Sequence, residues 1–211
     1  IWCIKVVPER GNPKTKINVI YPGALDLRTI EESEITNITG NPIILTLSRI
    51  EKRKGHLLII ETITKLLEKF PNLQYVVAGI GPELNNIKKT VIQKKLDKNV
   101  IFVGEVSDPQ KKFLFKKTDL MVMTTLDETL KRSIEGFGIV YLEASFFSIP
   151  SIASDIGGTP EAVIDNFTGR IIYKNENLYS KIFELLNNMS KVKELGLNAK
   201  KRAIAEFTWE Y

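Results

Sequence analysis

The chain has 211 residues, 43% of them hydrophobic and 26% charged, with a net charge of +5 and a pI near 9.1. That length supports one domain with a real core, and no apolar run reaches the roughly 18 residues of a membrane span. One cysteine, Cys3, and one histidine, His56, leave no basis for a disulfide framework, a His-rich metal centre or a His-based triad within the chain. The opening IWCIKVVPERG lacks the apolar core of a signal peptide, and it begins on Ile1, as a processed chain or a piece of a longer one would. Basic residues fall in short clusters (52–54, 111–112, 116–117, 200–201), most of which read as solvated surface charge, with no arm that suggests nucleic acid. The modest basic excess suits diphosphates and weak peripheral contact with acidic lipid. The cysteine usage and the absence of a leader fit a cytoplasmic location.

Taken in order, short β-branched runs alternate with amphipathic stretches, the pattern of a parallel sheet with crossover helices. Strands are expected at INVIYP, PIILTLS, LQYVVAG, VIFVG, DLMVMT, PSIASD and GRIIY. Between them, HLLIIETITKLLEKF places Ile59, Ile63, Leu66 and Phe70 at helical spacing. ELNNIKKTVIQKKL, PQKKFLFKKT, VYLEASFF, TPEAVI and ENLYSKIFELLNNM follow as helices, and a last one runs from Val192 to Phe207. His56 is expected on the surface, and Trp209 is expected to pack with Phe207. The first thirty residues and TLDETLKRSI are the least regular parts, the latter a candidate rim of the site. The turns 48–55, 79–82, 104–107 and 135–138 all belong on the carboxyl edge of the sheet, where open α/β folds gather ligands.

Two segments carry chemistry. In SRIEKRKG, Arg49 and Lys54 flank a strand-to-helix turn, where two cations beside a helix N-terminus can neutralise a diphosphate or a leaving group. The plainer alternative is a solvated turn. In EGFGIVYLEA, Glu135 precedes a Gly-flanked turn, Gly136–Phe137–Gly138, and Glu143 lies eight residues on, inside a helix. The turn leaves N–H groups open to sugar or phosphate oxygens. Eight residues make about 12 Å of rise if wholly helical, comparable with the separation of sugar and ribose in a nucleotide-sugar. The plainer alternative is a helix-capping acid followed by an exposed one.

SRIEKRKG, VVAGIGPE, VIFVGEV, EGFGIVYLEA and DIGGTPEAV, in this order and spacing, resemble the C-terminal domain of the family four retaining glycosyltransferases, which have the GT-B fold of two facing Rossmann-like halves. The resemblance runs from INVIYPGALD to FTWEY. It implies an α/β domain over residues 1–211, a Rossmann-like parallel sheet flanked by helices, with the N-terminal acceptor half absent. Glu135–Glu143 matches the family's E-x7-E signature. By that likeness Glu135 approaches the donor sugar and Glu143 binds the ribose. The amides of Phe137, Gly138 and Ile139 hold sugar and phosphates, and Arg49 and Lys54 hold the diphosphate. Gly79 and Gly81 leave room for the nucleotide, and Val106 lies near the base.

The implied reaction moves a hexose from a nucleotide-sugar to a glycan or lipid acceptor with retention, a phosphate oxygen taking the proton of the incoming hydroxyl. No metal cofactor is required by that scheme, and the chain has no Asp-x-Asp. DETLKRSIEGFGIVYLEA is similar to the mannosyltransferases that build phosphatidylinositol mannosides, a lean towards GDP-mannose over a UDP-hexose. PGAL departs from the family's Asn-Gly-Val run. Phe146, Phe147, Ser148 and Ile149 replace the usual small residues and glycine before Pro150, which reads as a packing change. A non-catalytic nucleotide-binding regulatory module and a GT-B-type sugar-nucleotide epimerase remain as alternatives, the E-x7-E spacing arguing against the second.

Overall fold

Six runs of apolar residues become six strands: β1 (Ile43–Leu47), β2 (Gln74–Ala78), β3 (Val100–Gly104), β4 (Leu120–Met123), β5 (Ser151–Ser154) and β6 (Gly169–Ile172). The computed structural model describes residues 21–126 and 135–208. Cys3, Trp209, most of the strand expected at 17–22 and most of the 125–134 rim lie outside the described residues. The strands form one parallel sheet in the order β3-β2-β1-β4-β5-β6. Chain order reverses between β1 and β4, so the crossovers leave that pair towards opposite faces and open a crevice at its carboxyl end.

Both faces of the sheet are covered, which explains why its strands read as continuous apolar runs. On one face Ile44, Tyr75, Val77, Leu120, Val122 and Ile152 meet α1 (His56–Leu66), α2 (Leu84–Gln93) and α6 (Leu178–Leu186). On the other, Leu45, Val76, Met121 and Ala153 meet α3 (Asp108–Lys117), α4 (Ile139–Phe146) and the single turn α5 (Thr159–Ala162). The last helix, α7 (Met189–Glu206), serves both, with Val192 and Leu195 in the first core and Ala203 in the second. No helix among the described residues is long and apolar enough to cross a membrane.

Element ends differ from expectation for local reasons. α1 stops at Leu66, and the N–H groups of Lys69 and Phe70 both turn back to the Leu66 carbonyl. Pro71 follows, and the residue before a proline avoids the helical region. α7 begins earlier than expected because Asn188 caps it, its Oδ1 accepting from the Lys191 N–H at 3.0 Å.

The chain folds back on itself at its described ends. Ala24 and Thr208 form a parallel bridge, and the Ala24 N–H donates to the Phe207 carbonyl at 2.9 Å.

The residues before Pro150 are indeed a packing change: Phe146 is fully buried, and Ser148 holds φ +61°. A left-handed conformation costs an L-residue about 1–2 kcal/mol that glycine avoids, so Ser148→Gly is expected to stabilise the chain by about 1 kcal/mol. Gly196 in α7 packs against the Ser148 carbonyl, which an added Cβ would overlap, with Pro150 Cδ 3.3 Å away. Gly196→Ala, ordinarily worth about 1 kcal/mol of helix stability, is here expected to cost about 2 kcal/mol. Denaturant unfolding of both variants reads the opposite signs.

Candidate functional site

At the crevice between β1 and β4, the loop after β1 folds into a short 3-10 turn, Lys52–Lys54, and Gly55 then opens α1 at φ +68°. A side chain on Gly55 would overlap the Thr124 carbonyl, so the β1 loop presses backbone to backbone against the end of β4. That contact carries Lys54 inwards. Its side chain is 8% exposed, and its ammonium pairs with the Glu135 carboxylate and lies 3.7 Å from Met123 Sδ. Arg53 Nη1 donates to the same carboxylate at 3.1 Å. Glu51 faces Arg53 Nε at 3.1 Å through one oxygen and Arg49 Nη1 at 3.1 Å through the other. Charges therefore alternate along one line: Arg49, Glu51, Arg53, Glu135, Lys54.

Arg49 stands at the other end of that line, 76% exposed. It lines a cavity of about 220 Å³ with Ser48, Gly79, Glu105, Val106 and Lys111. Lys111 Nζ lies 3.4 Å from Glu143 and 3.1 Å from Asp108. Burial pushes the Glu143 carboxyl above its ordinary value, and the Lys111 ammonium offsets this only in part. Burial works against the Lys111 charge too, but Glu143 and Asp108 overrule it and raise that group. The cavity thus offers two cations at its wall and a strained carboxylate behind one of them.

The glycine turn joins the two halves. Gly138, at φ +80°, precedes α4, and a Cβ there would strike the Tyr141 ring, whose hydroxyl donates to the Met123 carbonyl at 3.1 Å. Gly136 faces open space, and Ile139 is exposed at the first helical position. Gly158 donates its N–H to the Glu135 carbonyl at 3.2 Å and approaches the Gly136 carbonyl too closely for any side chain. Phe137 points inwards, its ring 5.6 Å from Tyr21 and 5.8 Å from Phe207.

The structure therefore brings Lys54 to Glu135, and Arg49 to Gly79 and Val106, but sets Arg49 and Lys54 at different ends of the charge line. Only the stretch from Ile139 is helical, so the two glutamates are spaced by a turn plus one helical turn rather than by a continuous helix. At Gly79 an added Cβ would overlap the Ser48 carbonyl, and at Gly81 the Ile50 backbone. The glycines let the β2 loop close on the β1 loop.

Four contributors escape a reading of the residues alone. Arg53 and Glu51 sit within a charged run whose members look alike. Lys111 belongs to the cluster read as solvated, although Ser107 and Gln110 mark a capped start for α3 and so put Lys111 in the turn nearest the carboxyl edge; the Ser107 N–H donates to Gln110 Oε1 at 3.0 Å. Its neighbour Lys112 is tied to the Arg28 carbonyl at 2.9 Å. His56 is not a surface residue: it is 2% exposed, on the same stripe of α1 as Ile59, Ile60 and Ile63. Among the described residues no cluster of three His, Cys, Asp or Glu could hold a metal ion.

The family model for glycosyl transferases group 1 matches residues 28–202. The GDP-mannose-dependent alpha-(1-6)-phosphatidylinositol monomannoside mannosyltransferase of Mycolicibacterium smegmatis is 25% identical over 170 residues, 80% of this chain and 44% of that protein. The capsular polysaccharide biosynthesis glycosyltransferase CapM of Staphylococcus aureus is 28% identical over 98% of this chain and 56% of its own length. The chain thus spans about half the length of such relatives. In fold it is similar to the C-terminal domain of a group 1 glycosyl transferase, LpcC, from Francisella tularensis, with TM-score 0.73, 23% identity and coverage of 89% of this chain and 100% of that one. It is likewise similar to Anabaena HepE, solved in complex with UDP and glucose, with TM-score 0.72, 20% identity and coverage of 88% and 52%.

A carboxyl group whose folded pKa lies above its unfolded one binds its proton more readily when folded. Its contribution to stability falls as pH rises through that interval and stays unfavourable above it. Glu143→Gln, which leaves Lys111 paired with Asp108, is therefore expected to raise Tm at neutral pH. The gain should shrink as pH falls to the ordinary carboxylate range near about 4. Thermal unfolding of both proteins across that range checks it.

Proposed function

The chain belongs to the group 1 glycosyl transferases, and from that membership we propose that it is the donor-binding half of a retaining hexosyltransferase. The observation that carries this reading is the line of alternating charges that joins a cavity walled by Arg49, Gly79, Val106 and Lys111 to the buried Lys54–Glu135 pair. The base and ribose occupy the cavity, with Glu143 accepting from the ribose hydroxyls. The diphosphate lies along the loop after β1. There it competes with Glu51 and Glu135 for Arg49, Arg53 and Lys54. Once Glu135 gives up its cations it is free to accept from sugar hydroxyls. The open N–H groups of Gly136–Ile139 meet the sugar and phosphates at the start of α4.

In the transfer step the bond from anomeric carbon to phosphate oxygen breaks while charge grows on the diphosphate. Arg49 and Lys54 stabilise that charge, a phosphate oxygen takes the proton of the acceptor hydroxyl, and the acceptor oxygen bonds to the anomeric carbon on the face the phosphate leaves, so configuration is retained. The acceptor, a glycan or a lipid, is held by an N-terminal half of the same enzyme. Phosphatidylinositol mannosyltransferases among the relatives favour GDP-mannose as donor and a lipid-linked acceptor. Such an acceptor sets the enzyme in the cytoplasm against the membrane face, which the +5 net charge suits.

Calorimetric and thermal-shift titration with GDP, GDP-mannose, UDP and UDP-glucose tests the donor. At a hundredfold excess over Kd a true ligand stabilises the folded chain by about 2.7 kcal/mol. The expected ranking puts GDP-mannose first, and a response to uridine nucleotides alone would overturn the mannosyl assignment. In the full-length enzyme Arg49→Ala is expected to lower turnover by about a hundredfold, and unchanged turnover removes Arg49 from the transfer step.

A further inference from the structure

A buried chain of polar side chains runs beneath the donor loop, and its protons can be placed. Thr46, in β1, donates its hydroxyl to the Val122 carbonyl of β4. Tyr75, in β2, donates to Thr46 Oγ1 at 2.9 Å. A hydroxyl has one proton, so the Tyr75 oxygen has none left for His56 Nδ1, 3.1 Å away, and the ring must be the donor there. Burial pulls His56 down to about 4, the Arg49 carbonyl beside the ring opposing the shift in part and the Lys54 charge adding to it, so the ring is neutral at physiological pH. Nε2 is then a bare acceptor. It faces Ser48 Oγ at 3.3 Å, the last member of the chain.

Ser48 has a second acceptor within reach, the Arg49 carbonyl at 3.1 Å, but that oxygen already receives the Glu51 N–H at 3.0 Å. Donation to Nε2 is favoured because the imidazole lone pair has no other donor, and an unpaired buried acceptor is costly. The Ser48 side chain is thereby fixed from below, while Gly79 closes on its carbonyl from the side. Arg49, the next residue, projects from this anchored point to the cavity mouth.

We propose that His56 is a positioning residue for the donor site, holding the Ser48–Arg49 turn through Nε2 so that the exposed guanidinium starts from one fixed backbone geometry when it meets a nucleotide diphosphate. This rests on the donor-site reading given above. Preset backbone beneath a flexible side chain reduces the order that must be created on binding. Protonation of the ring would turn Nε2–H towards the Arg49 carbonyl and release Ser48, so the neutral Nδ1–H form is the one that serves the site.

The test uses GDP and UDP as probes with four variants. His56→Asn keeps a donor for Tyr75 and lacks the reach to Ser48, whereas His56→Gln restores that reach. Ser48→Ala cuts the same link without opening the core. Affinity for whichever nucleotide the unaltered protein binds is expected to fall about fivefold in His56→Asn and in Ser48→Ala, no further in the double variant, and to recover in His56→Gln. Ser48→Ala leaves Nε2 without its donor, so its melting is expected to fall somewhat; the recovery of affinity in His56→Gln is the readout that separates positioning from stability. Full affinity in Ser48→Ala, or losses that add in the double variant, would overturn the proposal. If the parent binds neither nucleotide, the donor-site reading fails instead. The hydrogen-bond chain is then judged by 15N resonances of the His56 ring: Nδ1 protonated and Nε2 bare supports it, and the reverse refutes it.

Discussion

Glu135 reaches across the crevice from the β4 side, and both of its cations, Lys54 and Arg53, come from the β1 side. Neither Lys54 nor Glu135 has enough solvent to stand alone, and removing one partner of a buried pair leaves the other uncompensated at a cost of about 3–5 kcal/mol. The two loops must therefore approach closely, and the chain achieves this by omitting side chains where backbones meet. Gly55 rests on Thr124, and Gly158 rests on Gly136. Sheet order opens the crevice, glycines let its rims close, and the ion pair sets how far.

The arrangement also shows why this part of the molecule is poised rather than merely stable. Glu51 and Glu135 occupy the cations that a diphosphate would want, so the repulsion among the three cations is largely offset within the loop. A ligand with two negative phosphates offers those cations more charge than one carboxylate each can. Glu143 is held by a single lysine behind the cavity wall, with burial pressing against its ionised form. Groups held at such a disadvantage are common where binding or catalysis, not folding, selects the residue.

Much of the fold was legible because the central strands are buried on both faces and the helices present apolar stripes, so the two kinds of pattern separate. All six strands of the sheet fall where apolar runs put them, and the pattern of turns places the site on the carboxyl edge. Legibility failed where meaning depends on contacts between distant segments. Lys54 and Arg49 look equivalent along the sequence, yet one is drawn to Glu135 and the other left in solvent by a single short turn. That Gly79 and Gly81 also let the β2 loop lie against the β1 loop is visible only once the two loops are brought together. His56 could have been placed: it stands one turn before Ile59 and Ile60 on the buried stripe, and only the habit of treating a polar residue beside lysines as exposed hides it. Lys111 was hidden in the same way, by neighbours of like charge.

The bridge between Ala24 and Thr208 has a mechanical consequence. It clasps the first and last described segments together beside the glycine turn. Phe137, the bulky residue of the glycine turn, packs against this clasp, its ring facing Tyr21 and Phe207, with the Arg202 guanidinium 4.8 Å above the Phe207 ring. Shrinking Tyr21 or Phe207 would free the Phe137 ring and loosen the backbone on either side of it, so the two far ends of the described chain help to hold the geometry at the start of α4.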